Sequence, residues 1–177
     1  TRTITITAVN DAPANTLPVS YTTNEDTNVT LSGLSIADTD AASGAMTMTL
    51  NVASGTLTAT TGGSVTVTGS GTGTITLSGT LANINTFLGG GSAPVYVPVA
   101  GANGAVTLTM TTSDLGNTGT GGTLTDVDTL TINVTAVNDA PVNTVPVSIA
   151  VTEDVATAIT GISVNDVDAA GSTINVT

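Results

Sequence analysis

The stretch Val137-Asn138-Asp139-Ala140-Pro141 occurs twice in this chain of 177 residues. Its first copy begins at Val9, 128 positions earlier, and the sequences that flank the two copies also match. The same offset superposes the acidic pairs Glu25-Asp26 and Glu153-Asp154 without a gap. A repeat at a fixed period is the signature of tandem structural units. The repeat therefore organises the whole chain.

The repeat predicts where domains begin and end. Residues 1–9 match the end of the repeat, so we expect them to be the last strand of a preceding repeat. Residues 10–137 are then one complete repeat, and residues 138–177 are the N-terminal part of the next. A unit of this length can bury a core of its own.

Composition and alternation favour an all-β fold. Thr accounts for 40 residues and apolar residues for 40% of the chain, whereas Trp, Cys and His are absent. Short segments alternate Thr with apolar residues and are separated by Gly, Asn and Asp, which is typical of half-buried strands. Such strands, with no substantial helix, predict antiparallel β-sandwich domains joined end to end.

The same pattern predicts the elements of the complete repeat. The spacing of Leu81, Ile84 and Phe87 after Thr80 predicts one or two helical turns with Thr80 as the N-cap. Residues 114–128 are expected to form a long loop. The strands are expected over residues 17–23, 29–36, 45–52, three short segments within 54–78, and then 94–99, 105–113 and 130–136.

Acidic residues are concentrated in a few short motifs. The chain has 13 acids and one base, Arg2, which gives a formal net charge of -12. No charged residue occurs from residue 41 to residue 113. Acids that served only solubility would be scattered over exposed strand faces. Their concentration at predicted turns indicates a site.

Alternating strand direction predicts which motifs meet. The turn with the Glu25-Asp26 pair is expected at the end where the chain leaves the complete repeat. The linker that follows and the first acidic loop of the next repeat reach the same place, which brings Glu25, Asp26, Asn138, Asp139, Asp166 and Asp168 into one junction. The opposite end is expected to hold Asn10, Asp11, Asp38 and Asp40, together with Asp114, Asp126 and Asp128.

Carboxylates at this density need protons or cations. Two negative charges about 4 Å apart repel by roughly 4 kcal/mol at an effective dielectric constant of 20. The chain has no His and a single basic residue to neutralise them. Oxygen ligands alone favour a hard cation, and Ca²⁺ over Mg²⁺ where many carboxylates and carbonyls converge. We therefore predict roughly two or three Ca²⁺ ions at a junction of five carboxylates. The alternative is that these motifs are only turns and caps.

The combined motifs resemble a known family. The Val-Asn-Asp-Ala-Pro linkers, the Glu-Asp pair after the first strand and the Asp-x-Asp-Ala-Ala motif after the second are similar to the cadherin-like, Ig-like tandem repeats of giant secreted RTX-type bacterial adhesins. Residues 113–128 are similar to the long loop that precedes the last strand in that family. The resemblance implies Ig/cadherin-like sandwiches with Ca²⁺ at their linkers, an extracellular or cell-surface location, and a spacer role. Residues 98–104 lack the acids that many relatives carry, so we place no calcium there.

Three functions fit these observations. The first is a structural extender of an extracellular adhesin, whose partners are neighbouring repeats joined through calcium. The second is a subunit of a self-assembling extracellular filament or sheath, associating laterally through uncharged Thr faces. The third is a carbohydrate-binding module, although its aromatic residues are only Tyr21, Phe87 and Tyr96.

Other functional classes are disfavoured. With no His or Cys and one basic residue, the chain lacks the usual nucleophile–base pairs of enzymes. Its negative charge would repel nucleic acids and anionic membrane surfaces. No apolar run reaches the length of a transmembrane helix, so membrane insertion is not expected.

Overall fold

The computed structural model describes residues 2–169 and 171–177 and has an all-β fold with one short helix. The chain divides into two compact units, Thr1–Ala136 and Val137–Thr177. Thr1, the first residue of the strand predicted over residues 1–9, lies outside the described residues, as does Ala170.

The first unit contains eleven strands and the helix. They are β1 (Ala14–Thr16), β2 (Ser20–Asn24), β3 (Val29–Thr30), β4 (Ser35–Ala37), β5 (Ala45–Val52), β6 (Thr56–Thr58), β7 (Thr66–Thr68), β8 (Thr74–Thr80), α1 (Leu81–Gly89), β9 (Val95–Val97), β10 (Gly104–Ser113) and β11 (Thr125–Thr135). Six strands form one sheet in the order β2-β11-β10-β5-β8-β7. The others form a three-stranded sheet, β3-β9-β6, and the pair β1-β4. The pairing of β2 with β11 is parallel.

The core follows the predicted alternation. In β5, Met46, Met48 and Leu50 are fully buried, and the threonines between them face the other way. The same pattern buries alternate residues of β10 and β11. These side chains form one hydrophobic cluster with buried residues of β4, β6, β9 and α1. The predicted strand over residues 45–52 is confirmed.

Helix α1 closes one edge of this core, as its spacing predicted. The Thr80 side chain caps the helix by accepting a hydrogen bond of 3.3 Å from the backbone N–H of Asn83. On the same helix, the Asn85 side chain accepts from the Ile36 N–H at 2.9 Å and donates to its carbonyl at 2.8 Å, which fastens α1 to β4. Within the described residues, no helix has the length and apolarity needed to cross a membrane.

Residues 14–37 form more strands, and shorter ones, than predicted. The single strand expected over residues 29–36 is wrong, because Gly33 has φ +81 and turns the chain between β3 and β4. Glycine adopts this conformation without a side-chain penalty. The strand expected over residues 17–23 begins instead at Ser20. Pro18, which cannot donate a ladder hydrogen bond, lies between β1 and β2.

One further expectation is corrected, and the assignment of residues 1–9 to the last strand of a preceding repeat stays a prediction. The long loop ends at residue 124, and Asp126 and Asp128 lie within β11, because residues 125–128 continue the antiparallel register with β10. The described residues 2–8 belong to no strand ladder, and Ile4 and Ile6 are 87% and 89% exposed. An alternating sequence becomes a strand only where a neighbouring strand accepts its hydrogen bonds.

The second unit shows local geometry that also occurs in the first. Its strands β12 (Val142–Thr144) and β13 (Ser163–Asn165) pair antiparallel, in the register of β1 and β4 shifted by the offset of the sequence repeat. Asp154 has φ 60, and Asp26, the residue that matches it in the first unit, has φ 57. Matching sequences therefore adopt matching local conformations.

Candidate metal centre

Asn10 anchors the first linker to the long loop. Its backbone N–H donates to the Thr120 carbonyl at 3.0 Å, and its Nδ2 donates to the Gly122 carbonyl at 2.9 Å and to Asp114 Oδ2 at 2.5 Å. Only 5% of the Asn10 surface is exposed. Asn10 is thus fixed by three hydrogen bonds to residues that lie more than a hundred positions away in the sequence.

The loop after β4 brings a pair of carboxylates to the same linker. Asp38 Oδ1 accepts from the backbone N–H groups of Asp40 at 3.1 Å and Ala41 at 2.9 Å, which fixes a tight turn. Asp40 Oδ2 accepts from the Asp11 N–H at 3.0 Å, and Asp11 Oδ2 accepts from the Thr39 hydroxyl at 3.1 Å. The predicted grouping of Asp11, Asp38 and Asp40 therefore matches the contacts in this region.

Three buried oxygens in this region have no hydrogen-bond donor. They are Asn10 Oδ1, Asp38 Oδ2 and Asp40 Oδ1. Asp38 and Asp40 share one tight turn, and Asp40 is hydrogen-bonded to Asp11, the residue that follows Asn10 in the linker. A buried acceptor without a donor costs free energy, most of all when it is charged. A hard cation bound by such oxygens would offset this cost.

The electrostatics of the pair also favour a positive partner. Burial raises the pKa of Asp38, and the neighbouring Asp40 carboxylate raises it further, while two backbone N–H groups act in the opposite direction. The net result is a pKa above the usual range of an aspartate. A nearby cation would reverse this shift, because it stabilises the ionised form.

Asp114 has a different environment from the other acids. Its side chain is fully buried, and Oδ1 accepts from the N–H groups of Gly116 and Leu124, each at 2.8 Å, while Oδ2 accepts from Asn10. Burial by itself would raise the pKa of Asp114, but these hydrogen bonds outweigh it and lower the pKa. Asp114 therefore closes the loop of residues 114–124 and positions Asn10.

Asp126 and Asp128 lie on the core-facing side of β11, beyond the apolar part of that strand. Asp126 Oδ2 accepts from the Asn15 backbone N–H at 2.7 Å and so connects β11 to β1. Asp128 is exposed. Of these two acids, Asp126 is the one that the structure ties to the chain segment following the linker.

Glycines in the loop allow the close approach to the linker, and sequence reasoning missed their role. A Cβ atom added to Gly119, which has φ +128, would lie 2.5 Å from the Asn10 backbone nitrogen and 2.6 Å from the Val9 carbonyl carbon. Any side chain at this position would push the loop away from the linker. The signal in the sequence is the density of glycine in residues 116–122, which by itself predicts only a loop.

The opposite end of the first unit holds the Glu25-Asp26 pair. The Glu25 N–H donates to the Thr135 carbonyl at 2.9 Å, and the Glu25 side chain is buried. Asp26 Oδ1 accepts from the Gly101 N–H at 3.0 Å. The pair thus lies beside the end of β11, where strand direction predicted it.

In the second unit, three residues of the predicted junction line one pocket. Asn138, Asp166 and Asp168 surround a cavity of about 200 Å³ together with Ala169, Ser172 and Thr173. The Asp139 N–H donates to Asp168 Oδ2, and the Asp168 N–H donates to Asp166 Oδ1 at 3.0 Å. Both contacts correspond to those of Asp11, Asp40 and Asp38.

The complete five-carboxylate junction stays a prediction. Glu25 and Asp26 belong to the first compact unit, and Asp139, Asp166 and Asp168 belong to the second. Among the residues that the structure describes, no three acidic side chains form a metal-binding group by themselves. At each linker, the backbone N–H of the aspartate that follows the asparagine instead donates to the second member of an aspartate pair.

The three aromatic side chains are all buried. Tyr21 is 8%, Phe87 4% and Tyr96 1% exposed. The Tyr21 hydroxyl donates to the Ser32 carbonyl at 2.6 Å, and burial raises the pKa of Tyr21 to about 12. None of them offers a flat exposed ring on which a sugar would stack.

Comparison with known proteins adds no identity to these observations, since no protein-family model and no curated protein matches the chain.

Proposed function

We propose that this chain is a structural extender of a large extracellular bacterial adhesin, made of tandem Ig/cadherin-like β-sandwich repeats that Ca²⁺ rigidifies at their linkers. The observation that carries the proposal is the set of buried oxygens without donors at Asn10, Asp38 and Asp40. Their chemistry, amide and carboxylate oxygen without nitrogen or sulfur, is that of a calcium site.

The repeated arrangement supports a structural role for the cation. The second unit repeats the residues of the first linker. Asn138 corresponds to Asn10, and the aspartate pair Asp166 and Asp168 corresponds to Asp38 and Asp40. The linker N–H of Asp139 again donates to the second aspartate of the pair. A catalytic carboxylate pair has no reason to recur at every linker, whereas a device that stiffens joints does. The burial of all three aromatic residues removes support for the carbohydrate-binding alternative.

The proposed ligands differ in their role. Asn10 Oδ1 and the carboxylates of Asp11, Asp38 and Asp40 would hold Ca²⁺ at the first linker, and Asn138, Asp139, Asp166 and Asp168 at the second. Glu25 and Asp26 would complete the second junction from the preceding repeat. Asp114 would mainly position the first linker, because hydrogen bonds already occupy both of its oxygens. Asp126 would connect β11 to β1 through Asn15.

Calcium titration monitored by thermal unfolding tests this proposal. Extracellular calcium modules bind with dissociation constants of roughly 10⁻⁴ to 10⁻³ M, so Ca²⁺ at about 10 mM should raise the melting temperature of the chelator-treated protein by several degrees. The double variant Asp38→Asn, Asp40→Asn should lose most of that increase.

A matched control is Glu153→Gln, which removes one exposed charge that belongs to neither proposed ligand set. It should retain the full calcium response. A calcium response of equal size in all three proteins would refute the site, and the absence of any response in the unmodified chain would refute the role of calcium.

A further inference from the structure

The outer face of the six-stranded sheet carries hydroxyl and amide side chains almost exclusively. The strand register aligns them in rows that run across the sheet. One row is Val127, Thr111, Thr49, Thr76 and Thr68, the next is Thr125, Ser113, Thr47, Ser78 and Thr66, and a third is Thr129, Thr109, Asn51 and Thr74. We call this surface the threonine face.

The threonine face is open in the first unit. Thr129 and Thr131 are exposed, and Thr47, Thr49, Thr109 and Thr111 of the central strands are half-buried. The hydroxyls of Thr49 and Thr76 lie 3.1 Å apart across β5 and β8, so the rows contact one another. The described residues therefore present a continuous grid of methyl and hydroxyl groups to solvent.

This grid has no charge in a protein whose formal net charge is -12. Exposed sheet faces ordinarily carry interspersed charges, which keep copies of a protein apart. All of the acids of this chain lie outside the grid, and Asp126 and Asp128 in β11 point to the opposite side. Two copies would repel each other at their acidic linkers. The threonine face is the broad surface on which they can approach without bringing carboxylates together.

We propose that two copies of this chain associate face to face through the threonine face. Each threonine hydroxyl both donates and accepts, so identical rows can pair across a two-fold axis. The methyl groups between the hydroxyls lose contact with water in the same step. The association involves no linker carboxylate and does not require a cation.

The area of the face sets the strength of this association. The four central strands have at least seven residues each. At about 3.3 Å per residue and about 4.8 Å between strands, they cover about 500 Å² per copy. The resulting total of about 1,000 Å² is at the lower limit for a specific interface. We therefore expect a weak dimer whose population increases with protein concentration.

Sedimentation velocity over a concentration series in chelator tests the proposal. The unmodified chain should dimerise, and more strongly at 1 M salt, where the screening length falls to about 3 Å and linker repulsion is suppressed. Thr109→Glu, at the centre of the face, should weaken dimerisation at least about tenfold because it buries an unpaired charge. Thr129→Glu with Thr131→Glu makes the same test at exposed positions that tolerate a charge in the folded monomer.

The control is Thr30→Glu with Thr60→Glu, which adds the same charge at exposed positions outside the face. It should dimerise like the unmodified chain. A chain that stays monomeric at every concentration and salt level would overturn the proposal, and so would equal weakening by the control. Binding to an insoluble polysaccharide that the face variants abolish, without self-association, would assign the face to sugar and also overturn it. Because every measurement is made in chelator, failure here is distinct from failure of the calcium site.

Discussion

At the scale of single residues, the linker is organised by one buried carboxylate. Asp114 lies at the base of the loop, accepts two backbone N–H groups and receives the side chain of Asn10. A buried charge is tolerated in a protein when hydrogen bonds replace the water that it loses. Asp114 satisfies this condition within the first unit itself, which distinguishes it from Asp38 and Asp40.

Replacing Asp114 should therefore destabilise the first unit even without calcium. Asp114→Ala leaves one buried and two partly buried N–H donors without their acceptor. Each costs about 1–3 kcal/mol when it is unsatisfied and not reached by water. We expect a loss of about 2–4 kcal/mol in the free energy of unfolding, measured by urea denaturation in chelator. Asp128→Ala, at an exposed position of β11, should change it by less than about 0.5 kcal/mol. Equal losses would contradict the structural role of Asp114.

The two shifted carboxylates predict opposite pH dependences in chelator. Because the folded-state pKa of Asp114 is lowered, its contribution to stability is present above the ordinary aspartate pKa of about 3.9 and is lost as pH falls through the folded-state value. The pKa of Asp38 is raised, so the folded state loses stability as pH rises from about 3.9 through its folded-state value.

Asp38→Asn should thus be more stable than the unmodified chain at neutral pH in chelator, and the difference should shrink in acid. Urea denaturation at several pH values measures this difference. Added Ca²⁺ should reverse the order at neutral pH, because the variant loses a ligand. A stability difference that does not depend on pH would contradict the assignment.

At the scale of elements, regular alternation was predictable and the breaks in it were not. Strand β5 and helix α1 agree with the sequence pattern, because each has one apolar face and flanking residues that fit. The division of residues 29–36 depended on Gly33, whose permissive backbone allows either a bulge or a turn. Gly33 forms a turn and not a bulge because β3 and β4 join separate sheets.

The candidate site was predictable to a similar degree. Strand direction placed Asp11, Asp38 and Asp40 together, and it placed Glu25 beside the end of β11. Spacing could not distinguish a carboxylate that faces backbone N–H groups from one that lacks donors, because that difference depends on how the loop of residues 114–124 folds back on Asn10. The sequence pattern does not predict that Asp126 and Asp128 lie in β11, because aspartate is depleted in strands and indicates a loop.

The loop itself gives an element-scale prediction. Gly119→Ala should loosen the loop from the linker, because the new methyl group would meet backbone atoms of Val9 and Asn10. Gly122→Ala is the matched control: Gly122 also has a positive φ, +77, but a Cβ there meets nothing within 4 Å. We expect the first variant to speed amide hydrogen exchange at Asn10 and Thr120 by at least about tenfold more than the second. Similar exchange in both variants would mean that only backbone strain matters.

At the scale of the whole chain, the acidic residues and the broad uncharged sheet face occupy different parts of the surface. The acids lie at linkers, in turns and loops, and on the core-facing side of β11, and the broad outer face of the larger sheet has none. The proposed calcium sites and the proposed contact between copies therefore use different surfaces. Added salt should weaken Ca²⁺ binding by screening and should strengthen the contact between copies, so the two interactions can be varied independently.

The parallel pairing of β2 with β11 determines how the first unit would respond to mechanical tension. The chain enters this unit ahead of β2 and leaves it after β11, and the two strands lie side by side in the same direction over five residue pairs. A force that pulls the two ends apart slides one strand along the other, so the ladder hydrogen bonds between them are loaded together in shear. An antiparallel hairpin pulled from its open end would lose its bonds one after another. The topology thus makes the first unit resist a force that pulls its N-terminal and C-terminal ends apart.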